Sequence, residues 1–222
     1  MTTRSALAGI PTASISDALD KLGLPGSLHG IGPLREVQHA CGPAYTARYE
    51  PVDADGGTVG DFLDEVAPGS VIVIDNDGRT DCTVWGGIMT RLAAHRGIAA
   101  TVINGVCRDV PSIHRTDYRI WSVGRFMRTG KDRVRLQAVR VPLVIDGVTI
   151  RPGDTVCCDE DGVVVVPADR VSEVAGIAEH IEQVESAIVE TVLAGSTLAE
   201  ARAQQGYHRL QTPTTATAGE AS

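Results

Sequence analysis

The stretch from Val84 to Pro111 constrains this chain more than any other. It reads in order as a glycine pair that opens a helix, a glycine that closes it, a strand, and a turn ending in two charged residues. Gly86 and Gly87 carry no Cβ, so the backbone there can approach a bound molecule closely. Ile88, Leu92 and the alanines after it form one apolar face at helical spacing, with Arg91, His95 and Arg96 on the others. Gly97 stops the helix in the manner of a residue just past a helix end. Ile98 to Ile103 is apolar and partly β-branched, which suits a strand buried on both faces, and Asn104-Gly105 is expected to break it. Arg108 and Asp109 follow at once. In open α/β sheets ligands gather at the carboxyl ends of the strands, so chemistry is expected at this turn.

The first turn of a helix presents unpaired N–H groups and a partial positive charge, which together hold a carboxylate or phosphate. An arginine beside it adds a rigid, two-pronged donor for the same anion or for a keto oxygen. A neighbouring aspartate can hold a hard divalent cation, and Mg²⁺ often takes one or two protein carboxylates and keeps several waters. Such a unit can bind a 2-oxo acid through its carboxylate, its keto oxygen and a metal. Arg108 and Asp109 equally suit a turn cap or a surface ion pair, and spacing alone leaves both open.

At 222 residues the chain can bury one full core, so a single α/β domain over residues 1–210 is expected, with 211–222 as a disordered tail. The net charge of −8 argues against a nucleic-acid surface, which needs clustered Lys and Arg. The basic residues between Arg119 and Arg140 lie among hydrophobics and read as the solvated face of a β-region. No charged leader followed by a long apolar run, and no eighteen-residue apolar window, is found, so neither a signal peptide nor a membrane span is expected. Five cysteines without a framework spacing fit a reducing compartment, hence the cytoplasm. Cys157 and Cys158 should point to opposite faces of a strand. Cys107, beside Arg108, reads as a small buried filler or, less simply, as a thiol of lowered pKa. The six histidines show no metal-binding spacing.

Along the rest of the chain, Ser14 and Asp17 resemble a capping box opening a helix that Gly23 ends. A strand is expected around Cys41 to Tyr49, and a short amphipathic helix from Thr58 to Ala67. Val71 to Ile74 reads as a buried strand. Its frame, Pro68 to Gly78, aligns without gaps with Pro152 to Gly162: a Pro-Gly turn, a strand and an acidic turn each time. Neither acidic turn supplies the twelfth-position glutamate of a calcium loop. Ile120 to Arg125, Arg133 to Pro142, a hairpin turning at Asp146-Gly147, and Val163 to Val166 are further strands. A long helix from about Ala168 to Ala194 carries an apolar stripe wide enough for a sheet or a neighbouring subunit. After Gly195, Ser196 or Thr197 starts a short last helix.

Trp85-Gly-Gly-Ile-Met89, followed by Arg96-Gly-Ile-Ala-Ala-Thr-Val-Ile-Asn-Gly-Val-Cys-Arg-Asp109, resembles the signature of the RraA-like family. That family includes metal-dependent 4-hydroxy-4-methyl-2-oxoglutarate aldolases and regulators of ribonuclease activity. The likeness extends to Thr12–Asp20, Gly42-Pro-Ala44 and Pro152–Pro167. It implies a single swivelling-type α/β domain, a central β-sheet flanked by helices and a long C-terminal helix. It places a substrate-binding loop on Gly86, Gly87, Ile88 and Met89, the substrate arginine on Arg108 and a metal-ligating aspartate on Asp109. Glu185 resembles an acidic residue that a neighbouring subunit lends to the site, in trimers that can stack as hexamers. Many of the characterised aldolases carry an acid where this chain has Gly87. The regulators without aldolase activity tend to lose the aspartate after the arginine, which this chain keeps. The resemblance thus implies a Mg²⁺- or Mn²⁺-dependent lyase that cleaves a 4-hydroxy-2-oxo acid to pyruvate and decarboxylates oxaloacetate. The alternative is a non-catalytic regulator that binds a protein partner.

Overall fold

In the computed structural model the described residues are 5–36, 38–52, 57, 59–210 and 212, so the expected tail falls almost wholly outside them. In chain order, helix α1 (Thr12–Leu22) precedes the short strands β1 (Ser27–Leu28) and β2 (Gly32–Pro33) and the long β3 (Ala40–Pro51). A 3₁₀ turn at Phe62–Glu65 leads to β4 (Val71–Asp75), β5 (Thr83–Trp85), α2 (Gly87–His95) and β6 (Ala100–Cys107). Then come α3 (Val110–Thr116), β7 (Ile120–Arg125), β8 (Val134–Val139), and the hairpin β9 (Leu143–Ile145) and β10 (Val148–Ile150). Strands β11 (Thr155–Cys158) and β12 (Val163–Val166) and helices α4 (Val171–Leu193) and α5 (Leu198–Gln204) follow.

One sheet runs β1-β12-β11-β3-β4-β6-β7-β2, with β5 also on β6 and β8 also on β3. Its centre, β3-β4-β6-β7, is parallel, and β5 joins it in parallel beside β6. The β11, β12, β1, β2 and β8 pairings are antiparallel. A parallel centre requires both faces covered, and the side-chain alternation of β4 shows how. Ile72 and Ile74 enter one core, under α2, α3 and the 3₁₀ turn, with Trp85, Ile113 and Tyr118. Val71 and Val73 enter a second core, closed by the β9–β10 hairpin. A third packs α1 and α4 against β11 and β12. Cys157 belongs to this third core and Cys158 to the second, so the neighbouring cysteines do face opposite ways. In the hairpin, Asp146 and Gly147 both take positive φ (49° and 77°), the backbone that a two-residue turn requires.

Four local expectations are corrected. Helix α1 begins at Thr12 and has no side-chain cap. Its start is instead tied across the fold: Thr12 donates to Asp159 through its amide (2.7 Å) and its hydroxyl (2.5 Å), while Ser14 donates to Glu182 on α4. The segment before β4 holds only the 3₁₀ turn at Phe62–Glu65, and Thr58 lies outside the described residues. Asn104-Gly105 does not end β6, which runs on to Cys107 with a register shift against β7. The irregular backbone is satisfied locally, because the Asn104 carbonyl accepts from Asn76 N (3.1 Å) and Gly78 N (3.2 Å). The Asn104 amide in turn donates to Asp75 Oδ1 at 2.9 Å. Finally, Ile88 is not on the buried face of α2 but 77% exposed; Gly87, Thr90 and Ala93 are buried there.

Helix α4 and the last helix form as the periodicity and Thr197 predict. Thr197 caps α5, with Glu200 bonding back in a full capping box. Among the described residues no helix is long and apolar enough to cross a membrane.

Candidate active site

Strand β5 ends in Trp85, which is 1% exposed and stacks on Tyr118 with ring centroids 6.0 Å apart. Trp85 Nε1 donates to Thr90 Oγ1 (2.9 Å), and that hydroxyl lies 3.0 Å from the Gly86 carbonyl. A buried indole therefore fixes the first turn of α2 from below. Strand β6 runs alongside, and where it ends the Arg108 amide donates to the Trp85 carbonyl at 3.0 Å. The two strand ends thus deliver the start of α2 and the Arg108–Asp109 turn to one place.

Asp109 sits in the left-handed region (φ 60°), a backbone that aspartate tolerates better than most residues, and immediately precedes α3 without bonding to it through its side chain. Its carboxylate reaches across to the neighbouring helix: Oδ2 accepts from the Gly87 amide at 2.7 Å, and Arg108 Nε lies 3.8 Å from the same oxygen. Asp109 therefore caps α2 rather than the helix it precedes, a tertiary cap that supplies a carboxylate where the helix dipole favours one. The resemblance implies a substrate role for the Gly86–Met89 turn as a whole, and its amides divide. The Gly87 amide is committed to Asp109, and those of Ile88 and Met89 have no partner among the described residues.

These groups line a cavity of about 160 Å³ that contains Gly86 to Met89, Arg108 and Asp109. Strand β5, Thr83 to Trp85, lines it too, and it is completed by Val59 and Thr129. Neither was expected. Thr129 comes in through a bridge to Thr83, a contact for which no local sequence signal exists. A second hollow of about 360 Å³ adjoins it, sharing Gly87, Ile88 and Asp109 and adding Arg91, Ser112 and Arg115. A larger hollow of about 590 Å³ at the β2–β7 edge includes neither Arg108 nor Asp109.

The glycines are needed for space rather than for an unusual φ. A Cβ on Gly86 would come within 2.9 Å of Asp109 Oδ2 and 3.3 Å of Arg108 Nε. On Gly87 it would meet Asp109 Oδ2 and Ser112 Oγ, each at 3.3 Å. Because the atoms met at Gly86 are side-chain ends, the chain can fold around an added methyl only by displacing the site. Gly86→Ala is expected to keep the thermal midpoint within a few degrees while lowering turnover by about tenfold or more, since misplacement by an ångström costs up to about 10²-fold. Melting curves beside steady-state rates check this.

Cys107 is fully buried, and burial pushes its thiol up from the ordinary value, so it is a filler rather than an activated thiol. Glu185 is not brought to Arg108 and Asp109 within one chain. It lies on α4, and its carboxyl is raised by partial burial, then by the charges of Glu182 and Asp17. Among the described residues no three His, Cys, Asp or Glu side chains converge as a metal cage. The donor set at the turn fits a different kind of cation, hard and rich in water. Asp109 is half-exposed, and its Oδ1 makes no hydrogen bond among the described residues.

A protein-family profile described as RraA-like, Aldolase/RraA, matches residues 12–165. The chain is 42% identical over 201 residues to Protein DlpA of Legionella pneumophila, covering 89% of this chain but 33% of that protein. The chain therefore spans only a third of this relative's length. It is 36% identical over 167 residues to a Halalkalibacterium halodurans protein named "Putative 4-hydroxy-4-methyl-2-oxoglutarate aldolase", covering 74% of this chain and 76% of that one. Among solved structures, an uncharacterized protein from Pseudomonas syringae pv. tomato superposes with a TM-score of 0.85 at 48% identity, covering 90% and 92% of the two chains.

Proposed function

The chain belongs to the RraA-like family, and we propose that it is a carbon–carbon lyase that releases pyruvate from 2-oxo acids. The observation that carries this reading is the Asp109–Gly87 link, which holds Arg108, a carboxylate oxygen and two amides that have no partner among the described residues around one small cavity. The Ile88 and Met89 amides take the substrate carboxylate at the positive end of α2. Arg108 donates to the keto oxygen, where negative charge develops as the C3–C4 bond breaks and its electron pair forms the enolate. Asp109, whose other oxygen is taken by the Gly87 amide, is the residue that would hold Mg²⁺ or Mn²⁺. When bound, such an ion supplies Lewis-acid stabilisation of that oxygen.

Two reactions share this enolate. In retro-aldol cleavage of a 4-hydroxy-2-oxo acid such as 4-hydroxy-4-methyl-2-oxoglutarate, the C4 hydroxyl must also lose its proton to a base as the carbonyl product forms. In oxaloacetate decarboxylation CO₂ departs and no base is needed. Gly87 offers no carboxylate for the first reaction, and we assign the base to Glu185 of a neighbouring subunit in a homotrimer, alone or stacked as a hexamer. Pyruvate release from oxaloacetate, followed with Mg²⁺ and then with a chelator, tests the reading. Absent or chelator-insensitive turnover favours instead a binding role like that of the family's ribonuclease regulators.

Glu185→Gln separates the two reactions. Loss of a general base costs about 10²-fold or more, so aldol cleavage should fall by that much, with decarboxylation reduced far less. The same substitution has a pH signature in stability. A carboxyl held above its usual value binds its proton more tightly folded than unfolded, so ionising it disfavours the fold. Glu185→Gln should therefore raise the melting temperature at pH 7, and the gain should vanish as the pH falls through the ordinary glutamate value of 4.5. Melting curves of both proteins at pH 7 and pH 4 check the sign.

A further inference from the structure

The hollow beside the proposed pyruvate-forming site is built from the same repeated spacing on two helices. Gly87, Ile88 and Arg91 on α2 face Pro111, Ser112 and Arg115 on α3, in each case positions i, i+1 and i+4. Helical periodicity puts the first and last of each set on one side, one turn apart. Two guanidiniums therefore flank a space of about 360 Å³ that opens onto Asp109.

Among the described residues neither arginine is matched by an acid. Arg91 lines the hollow with its Nε 3.3 Å from the Gly87 carbonyl, and its terminal nitrogens have no partner among the described residues. Arg115 has no ion pair or side-chain hydrogen bond among them. This occurs in a chain with 28 acidic and 20 basic side chains, where Arg35, Arg79, Arg96, Arg135 and Arg170 are each paired to a carboxylate. Between the hollow and the cavity of Arg108 stands Gly87, shared by both. A side chain there would press on Asp109 Oδ2 and Ser112 Oγ at 3.3 Å, and an acidic one would also set a negative charge between the two arginines.

The geometry points to a subsite for a second carboxylate: Arg91 and Arg115 receive the far end of a 2-oxo acid whose near end lies at Arg108, and Gly87 keeps the passage open and uncharged. This rests on the proposed site for the near end. The substrates already proposed are dicarboxylates; the new element is that Arg91 and Arg115 are the specificity residues for their far carboxylate, with no part in breaking the bond. Each guanidinium–carboxylate contact strengthens binding by roughly tenfold or more when the pair is partly withdrawn from water.

The test compares acids of equal length that differ only at the far end. Binding of 2-oxoglutarate and 2-oxopentanoate is measured by calorimetry in the presence of Mg²⁺, for the wild type and for Arg91→Gln/Arg115→Gln, both changes being at exposed positions. The wild type should prefer 2-oxoglutarate by about tenfold or more, and the ratio should collapse toward one in the double variant. A wild-type ratio near one, or a ratio unchanged by the double substitution, overturns the subsite. Cleavage adds an independent reading. 4-Hydroxy-2-oxoglutarate yields pyruvate and glyoxylate, 4-hydroxy-2-oxopentanoate yields pyruvate and acetaldehyde, and the ratio of their kcat/KM values should move with the binding ratio. If neither acid releases pyruvate while the binding preference stands and depends on Arg91 and Arg115, the lyase reading fails and the subsite does not.

Discussion

Arg108→Lys is expected to lower kcat/KM for pyruvate release by about 10²- to 10³-fold, the usual effect of removing one donor aimed at a developing oxyanion. The substitution keeps the positive charge, so a loss of this size isolates geometry. Arg108 approaches Asp109 through Nε at 3.8 Å, which leaves the fork of terminal nitrogens for a substrate oxygen. A lysine ammonium is a single point on a flexible stem and cannot hold the keto oxygen in the fixed plane that a guanidinium fork imposes. The loss should fall mainly on kcat, because charge builds on the keto oxygen only as the bond breaks. Folding should hardly change. The side chain is 37% exposed, and the bond that anchors the turn, Arg108 N to the Trp85 carbonyl, belongs to the backbone. Steady-state kinetics with oxaloacetate, beside a melting curve, gives both numbers. A variant that keeps its kcat removes Arg108 from the reaction.

The parts of this architecture legible in the sequence are those governed by short-range chemistry. The Gly86-Gly87 opening and Gly97 end of α2, the Asp146-Gly147 hairpin, the stripe of α4 and the Thr197 cap all depend on residues within a few positions of one another. What was not legible depends on partners far along the chain. Thr12 replaces Ser14 as the start of α1 because Asp159, just past the end of β11 and distant in sequence, takes both of its donors. Strand β6 survives Asn104-Gly105 because the Asp75–Gly78 turn supplies the missing hydrogen bonds. Ile88 obeys the period of an amphipathic helix yet stays in solvent, since Gly87 and Thr90 occupy the inner face against α3 and Trp85.

The same division holds within the site. Local order was enough to place Arg108 and Asp109 after a strand, and the resemblance to a known family pointed to the Gly86–Met89 turn. The use of the Asp109 carboxylate as a cap for α2 was hidden, because the two helices meet through residues twenty-two positions apart. Arg91 and Arg115 lay within reach of a periodicity argument, each one turn after a residue of the site. Nothing in the sequence showed that α2 and α3 start side by side, and without that neither arginine has a target.

Asp109 therefore has two separable duties, and two substitutions at this position part them. Asp109→Asn keeps an oxygen to accept from the Gly87 amide and a residue type that tolerates φ near 60°. Its stability should match the wild type within about 0.5 kcal/mol. Asp109→Ala loses the cap and places a residue with a Cβ but no local hydrogen bond in the left-handed region, at a combined cost of about 1–3 kcal/mol. Activity should not follow that order. Both variants lack the Asp109 carboxylate charge at the turn, so both should lose about 10³-fold in pyruvate release, the several kcal/mol that an electrophilic cation supplies when its carboxylate is present. The wild type treated with a chelator should fall to the same level, and the chelator should then have no further effect on Asp109→Asn. If Asp109→Asn instead turns over like the wild type while Asp109→Ala does not, the carboxylate serves only to hold the two helices together, and the cation has to be sought elsewhere.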